Sequence, residues 1–120
     1  MKRNWDLVRK ILLKVEETPQ SNQLKLEDFP DDNGYEVTYH VQLLIDAGLI
    51  DANIYGTTSS EPNDFLLRRL TWHGHEFLDS VKNESIWLKT KETFKSKGIS
   101  MTFETIKTVA IGLISKYIGG

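Results

Sequence analysis

The chain has 120 residues, of which 39% are apolar and 27% charged, with a formal net charge of −2 and no cysteine. That profile describes one ordinary domain, or a small domain with a helical appendage, and excludes a disordered tail, a disulfide scaffold and any thiolate metal site. The opening "MKRNWDLVRK" has no apolar core behind its charges, and the longest apolar run, "VAIGLI" at 109–114, falls well short of the ~20 residues that span a bilayer. A cytoplasmic protein with no membrane partner is therefore expected.

Residues 4–17, "NWDLVRKILLKVEE", read as an amphipathic helix. At about 100° per residue, Val8, Ile11, Leu12 and Val15 share one face, with Leu7 and Trp5 on its flanks. A loop follows at 18–23, and "LKLEDF" alternates enough for Leu24 and Leu26 to form a short strand. "PDDNG" is a turn that leads into the clearest helix, 35–47, capped by Asp32 or Asn33 and stopped by Gly48. Its apolar stripe is Val37, Val41, Leu44 and Ile45. "LIDANIYGTT" and "FLLRRLT" read as an antiparallel hairpin whose polar tip is "SSEPND", residues 59–64. Thr71 caps a helix over 72–82, a further helix covers 84–97 before Gly98, and a last one covers 102–118.

The order is helix, short strand, degraded second helix, helix, hairpin, helix. It is the order of a winged helix-turn-helix unit, with 35–47 as the recognition helix and 59–64 as the wing. The expected fold is α+β and mostly helical, with a winged-helix unit over 1–82 and a two-helix extension over 83–120.

The segments "NWDLVRKILLKVEE", "VTYHVQLLIDAGLI", "RRLTWHGHEFLD" and "IWLKTKE", together with the closing helix, resemble an uncharacterised family of small bacterial and prophage-encoded proteins. The resemblance spans nearly the whole chain and implies a winged-helix fold and a phage or host setting, but no activity. The lead "DDNGYEVTYH" is shorter than the family pattern and leaves little room for the second helix of the motif. "LTxxGxxFL" also recurs in winged-helix regulators, where its glycine lets a helix pack closely on the hairpin.

"WHGHE" raises the question of a metal or acid–base site. On a helix, His73 and His75 are about 200° apart and point to different sides, whereas a helical metal pair needs a spacing of three or four. They border the stripe of Gly74, Phe77, Leu78 and Val81, so they read as boundary histidines. His40 reads the same way beside its own stripe. No nucleophile elbow or phosphate-cradling loop is present, and Asp31 and Asp32 read as turn caps. The expected protein is no enzyme and carries no cofactor or metal.

Binding remains. The fold points to double-stranded DNA, but residues 1–82 hold nine Lys/Arg against fourteen Asp/Glu, a net of −5, while 83–120 hold six against three, a net of +3. The exposed face of 35–47 is expected to be Tyr35, Thr38, Tyr39, Gln42 and Asp46, which has hydroxyl and amide groups to read bases but no cation. Lys2, Arg3, Arg68 and Arg69 would grip a backbone, with Arg68 and Arg69 sent to opposite faces of their strand by alternation. The reading is a regulatory DNA-binding protein of the transcription-regulator kind, the alternative being a module that binds a host or phage protein through the same face.

The last helix carries more apolar surface than one packing face needs. Phe103, Ile106, Ala110, Leu113, Ile114 and Tyr117 form its stripe, and Val109, Ile111 and Ile118 widen it. Ile106, Val109, Ile111, Leu113, Ile114 and Ile118 are therefore expected to join two copies in a homodimer.

Overall fold

The computed structural model describes residues 1–56 and 62–118. Within them the protein is mixed α+β and mostly helical, with five α-helices and one two-stranded antiparallel sheet. In chain order these are α1 (Trp5–Glu17), a single 3-10 turn at Leu26–Asp28, α2 (Gly34–Asp46), β1 (Ile50–Tyr55), β2 (Asp64–Leu70), α3 (Trp72–Val81), α4 (Glu84–Lys97) and α5 (Phe103–Ile118). The chain forms two compact units, Met1–His75 and Glu76–Gly120, with the boundary inside α3. The expected tip at 59–64 is described only from residue 62; residues 59–61 lie outside the described residues.

The first unit is built on α1, α2 and the hairpin. Asn4 caps α1 by accepting the Leu7 N–H at 3.1 Å, and Leu7, Val8, Ile11, Leu12 and Val15 are buried. Asn33 caps α2 by accepting the Glu36 N–H at 3.1 Å. Val37, Val41 and Leu44 are fully buried, while Ile45 is only half-buried. The histidine expected at the boundary, His40, is instead completely buried. Its Nε2 accepts the Asn4 backbone N–H at 2.7 Å and its Nδ1 lies 2.8 Å from the Glu36 carbonyl. With the Nδ1 proton donated to Glu36, both ring nitrogens are satisfied and the neutral ring ties α2 to the start of α1.

Residues 24–29 depart from the expected strand. Leu24 exchanges two backbone hydrogen bonds with Leu67, at 3.0 and 2.9 Å, and then the chain turns into the 3-10 segment. Leu26 therefore lies in that turn and not in a strand. Asp64 explains the stop: its Oδ1 accepts the N–H of Leu26 at 3.0 Å and that of Phe65 at 2.7 Å, pinning the turn to the head of β2.

The end of α2 carries a Schellman turn. The Leu49 N–H donates to the Leu44 carbonyl and the Gly48 N–H to Ile45, both at 3.0 Å, with Gly48 at φ +75°. The Leu49 carbonyl then accepts the Thr71 N–H at 2.9 Å, and the Thr71 hydroxyl donates to the Gly48 carbonyl at 2.5 Å. Gly74, one turn into α3, lies directly on this knot. A Cβ at Gly74 would sit 2.0 Å from the Leu49 oxygen and 3.3 Å from the Leu70 Cβ.

In the second unit, Asn83 caps α4 by accepting the Ile86 N–H at 3.0 Å, and Gly98 ends that helix at φ +62°. Thr102 and Thr105 exchange side-chain-to-backbone hydrogen bonds of 2.9 and 3.1 Å, a reciprocal box that opens α5. Trp87, Phe94, Ile106 and Ala110 are buried, and Phe77 meets Phe103 edge-on with centroids 4.9 Å apart.

Two outcomes are expected. Gly74→Ala, which helix propensity alone would favour, destabilises the protein by about 2–3 kcal/mol in chemical denaturation, because the new methyl meets backbone that cannot give way. Burial raises the Asp64 carboxyl, but the N–H donors of Leu26 and Phe65, a hydrogen bond from Tyr55 and the charge of Lys25 outweigh it and hold the group below its ordinary value. The stability this contributes is present above the unfolded-state value and is lost as pH falls through the folded one. Asp64→Asn should lower the thermal midpoint at neutral pH and flatten its decline below about pH 4; an unchanged acid limb would count against the bond pattern.

Candidate functional site

The residues singled out on α2 separate into two groups. Tyr35, Tyr39, Gln42 and Asp46 are exposed, the two tyrosines by 49% and 39%. Their spacing of four, three and four places them in one line along the helix. Gln42 donates through Nε2 to Asp46 Oδ1 at 2.9 Å, which braces the far end of the line. Tyr39 stands edge-on to the buried His40 ring, 5.7 Å between centroids.

Thr38 does not belong to this face. It is buried, and its hydroxyl donates to the Asn63 carbonyl at 2.6 Å. Thr38 lies about 60° from Tyr35 and about 40° from Gln42 around the helix, and the residues entering β2 cover that side.

The two arginines also depart from expectation. Asp51 pairs with Arg69 and Ala52 with Leu67, so Arg68 is an extra residue in β2. This bulge resets the alternation. Phe65, Leu67 and Leu70 are buried, and neither Arg68 nor Arg69 is. Both reach Asp51 instead of diverging: Arg68 Nη2 is 3.0 Å from Asp51 Oδ1 and Arg69 Nε is 3.7 Å from Oδ2. Arg68 also donates to Asn53 Oδ1 at 2.6 Å. The Arg68 hydrogen bond, opposed by a small burial cost and helped by the charges of both arginines, holds the Asp51 carboxyl below its ordinary value.

Other cations of this unit are engaged as well. Lys10 pairs with Asp32 at 2.7 Å, and Lys14 lies 5.3 Å above the Phe29 ring. At the N-terminus Lys2 and Arg3 are exposed, with the Arg3 guanidinium 5.3 Å from the Trp5 ring.

Trp72 was not anticipated. It is 77% exposed at the first position of α3, next to Thr71, which is bonded to Gly48 and Leu49 just past the end of α2. The signal was in the sequence: with Gly74, Phe77, Leu78 and Val81 buried, position 72 falls outside the stripe. His73 and His75 are exposed too, and among the described residues no three His, Asp or Glu side chains are placed to hold a metal ion.

On α5 the expected joining residues also divide. Ile106 is completely buried within the chain and is not available to a partner. Val109, Leu113 and Ile114 are half-buried, whereas Ile111 is 46% and Ile118 80% exposed. Tyr117 is exposed and carries the Lys89 ammonium 4.6 Å above its ring. No helix among the described residues is long and apolar enough to cross a membrane.

A family model described as "Hypothetical protein (DUF2513)" matches residues 2–100. An uncharacterised protein of Haemophilus influenzae is 42% identical over 119 residues, which cover 98% of this chain and 99% of the relative. No solved structure matches the chain. With the family model covering most of its length and a relative aligned end to end, the chain belongs to the DUF2513 family.

Proposed function

We propose that the protein is a non-catalytic, cytoplasmic regulatory module of the winged-helix type that acts by binding another protein through the exposed face of α2. The order α1, α2, β1, β2, α3 supports the winged-helix reading, as does the single β-bridge from Leu24 to Leu67 of β2. In that reading α2 is the recognition helix. The observation that favours a protein partner is the makeup of its face, two exposed tyrosines with a glutamine and an aspartate, while Arg68 and Arg69 are held by Asp51. Aromatic side chains dominate interface energetics, whereas DNA affinity rests on cations facing phosphate.

DNA is the second reading. It is favoured by the hydroxyl of Tyr39 and the amide of Gln42 on a helix in the recognition position, with Lys2 and Arg3 exposed just before Asn4, which bonds to Glu36 and His40 of α2. We also assign α5 to self-association, since Ile111 and Ile118 leave apolar surface open after Ile106 and Ala110 are buried. A two-fold pair of α5 helices would cover it.

Anisotropy of a labelled duplex pool, titrated between about 50 and 200 mM salt, separates the two targets. The expected result is no salt-sensitive retention, together with photo-crosslinking of a protein from the native host at position 39 that is lost in Tyr39→Ala. Steep salt-dependent DNA binding that Gln42→Ala alters in sequence preference would reverse the order of the readings. For self-association, light scattering should find a dimer that Ile111→Lys converts to a folded monomer. A wild-type chain that is monomeric at high concentration removes the dimer.

A further inference from the structure

Building on the protein-binding reading, the geometry points to a cationic partner: the line Tyr35, Tyr39, Gln42 and Asp46, with exposed Trp72 next to the Thr71 that bonds the residues ending α2, receives a protein segment that carries arginine among apolar residues. Three features select that chemistry.

The first is the local charge. The unit Met1–His75 holds eight Lys/Arg against twelve Asp/Glu, and the line itself contains no cation. Lys10, Arg68 and Arg69 are already engaged with aspartates of the same unit. A basic segment therefore meets a field that attracts it and no exposed cation in the line that repels it.

The second is the end of α2. The C-terminus of a helix carries partial negative charge and is ordinarily matched by a basic side chain. Here the last turn has no basic residue and ends on Asp46, whose carboxylate receives the neutral Gln42 amide and, among the described residues, no cation. Negative charge is thus stacked on a negative helix end, an arrangement that a guanidinium supplied from outside would relieve. Arginine suits it better than lysine, because its planar fork can engage a carboxylate with two hydrogen bonds while its face stacks on an aromatic ring.

The third is the aromatic surface. Tyr35, Tyr39 and Trp72 are exposed by 49%, 39% and 77%. Tyrosine and tryptophan faces accept both a guanidinium and aliphatic side chains. From Tyr35 to Asp46 the line runs about 16 Å along the helix, enough for a short segment with more than one anchor.

The test is amide and indole NMR of the isotope-labelled full chain. It is titrated with a short peptide of alternating arginine and leucine, with its glutamate–leucine counterpart, and with a DNA duplex. The expected result is saturable shifts at Tyr35, Tyr39, Gln42, Asp46 and the Trp72 indole with the arginine peptide alone. Asp46→Arg, a change at an exposed position that leaves the fold intact, should weaken this binding by about tenfold or more. Shifts centred on the acidic stretch 27–32 would reveal unselective charge attraction and overturn the inference. So would a line that ignores the arginine peptide while position 39 still crosslinks to a host protein, which leaves the protein-binding reading standing. A duplex that shifts the line overturns both.

Discussion

The carbonyl of Leu49 is the point on which the first unit turns. It lies at the exit of the Schellman turn that closes α2, accepts the Thr71 N–H, and is touched by the bare backbone of Gly74. One peptide group thereby joins the end of one helix, the start of β1 and the first turn of another helix. A side chain at residue 74 would hold α3 away and open the contact with Leu70. Glycine is required here by proximity, since the helix itself would prefer alanine.

Two smaller ties complete the frame, and each uses a polar group that the core would otherwise penalise. His40 is wholly buried, and its ring is tolerable because one nitrogen accepts from Asn4 while the other donates to Glu36. Thr38 is buried beside it in sequence and spends its hydroxyl on Asn63. Together with Asp64, which bonds Leu26 and Phe65, these groups fasten α2 and the 3-10 turn to α1 and the hairpin. What remains outward on α2 is then fixed in place by the inward set: a rigid helix offering tyrosine, tyrosine, glutamine and aspartate in a line.

The bulge in β2 decides the electrostatic character of that unit. Without it, Arg68 and Arg69 would take opposite faces. With it, both are directed away from the core and converge on Asp51. Two cations that sequence alone offers to a phosphate backbone are consumed within the hairpin. The surface that results is aromatic and acidic, which is why a protein partner is proposed ahead of DNA. The second unit differs in kind: its buried polar groups Ser80 and Thr90 bond back to carbonyls of their own helices, while α5 carries exposed Ile111, Tyr117 and Ile118.

Periodicity and end signals in the sequence by themselves determined the helices, the hairpin and most of the core. Asn33, Gly48 and Gly98 bound their helices as their side chains or lack of one require, and Val8, Ile11, Leu12, Val15, Val37, Val41 and Leu44 are buried as spaced. Gly74 was legible as a close approach, and Tyr35, Tyr39 and Gln42 as an exposed face. Only the tertiary structure decided the fate of residues whose neighbours come from distant sequence. Thr38 is buried because Asn63 arrives beside it, Ile106 is buried within the chain, and the pairing of Leu24 with Leu67 goes no further because Asp64 captures the Leu26 N–H. Arg68 and Arg69 were misplaced for a related reason. Alternation along a strand is a local rule, and a bulge is set by the register with its partner, which no single strand contains.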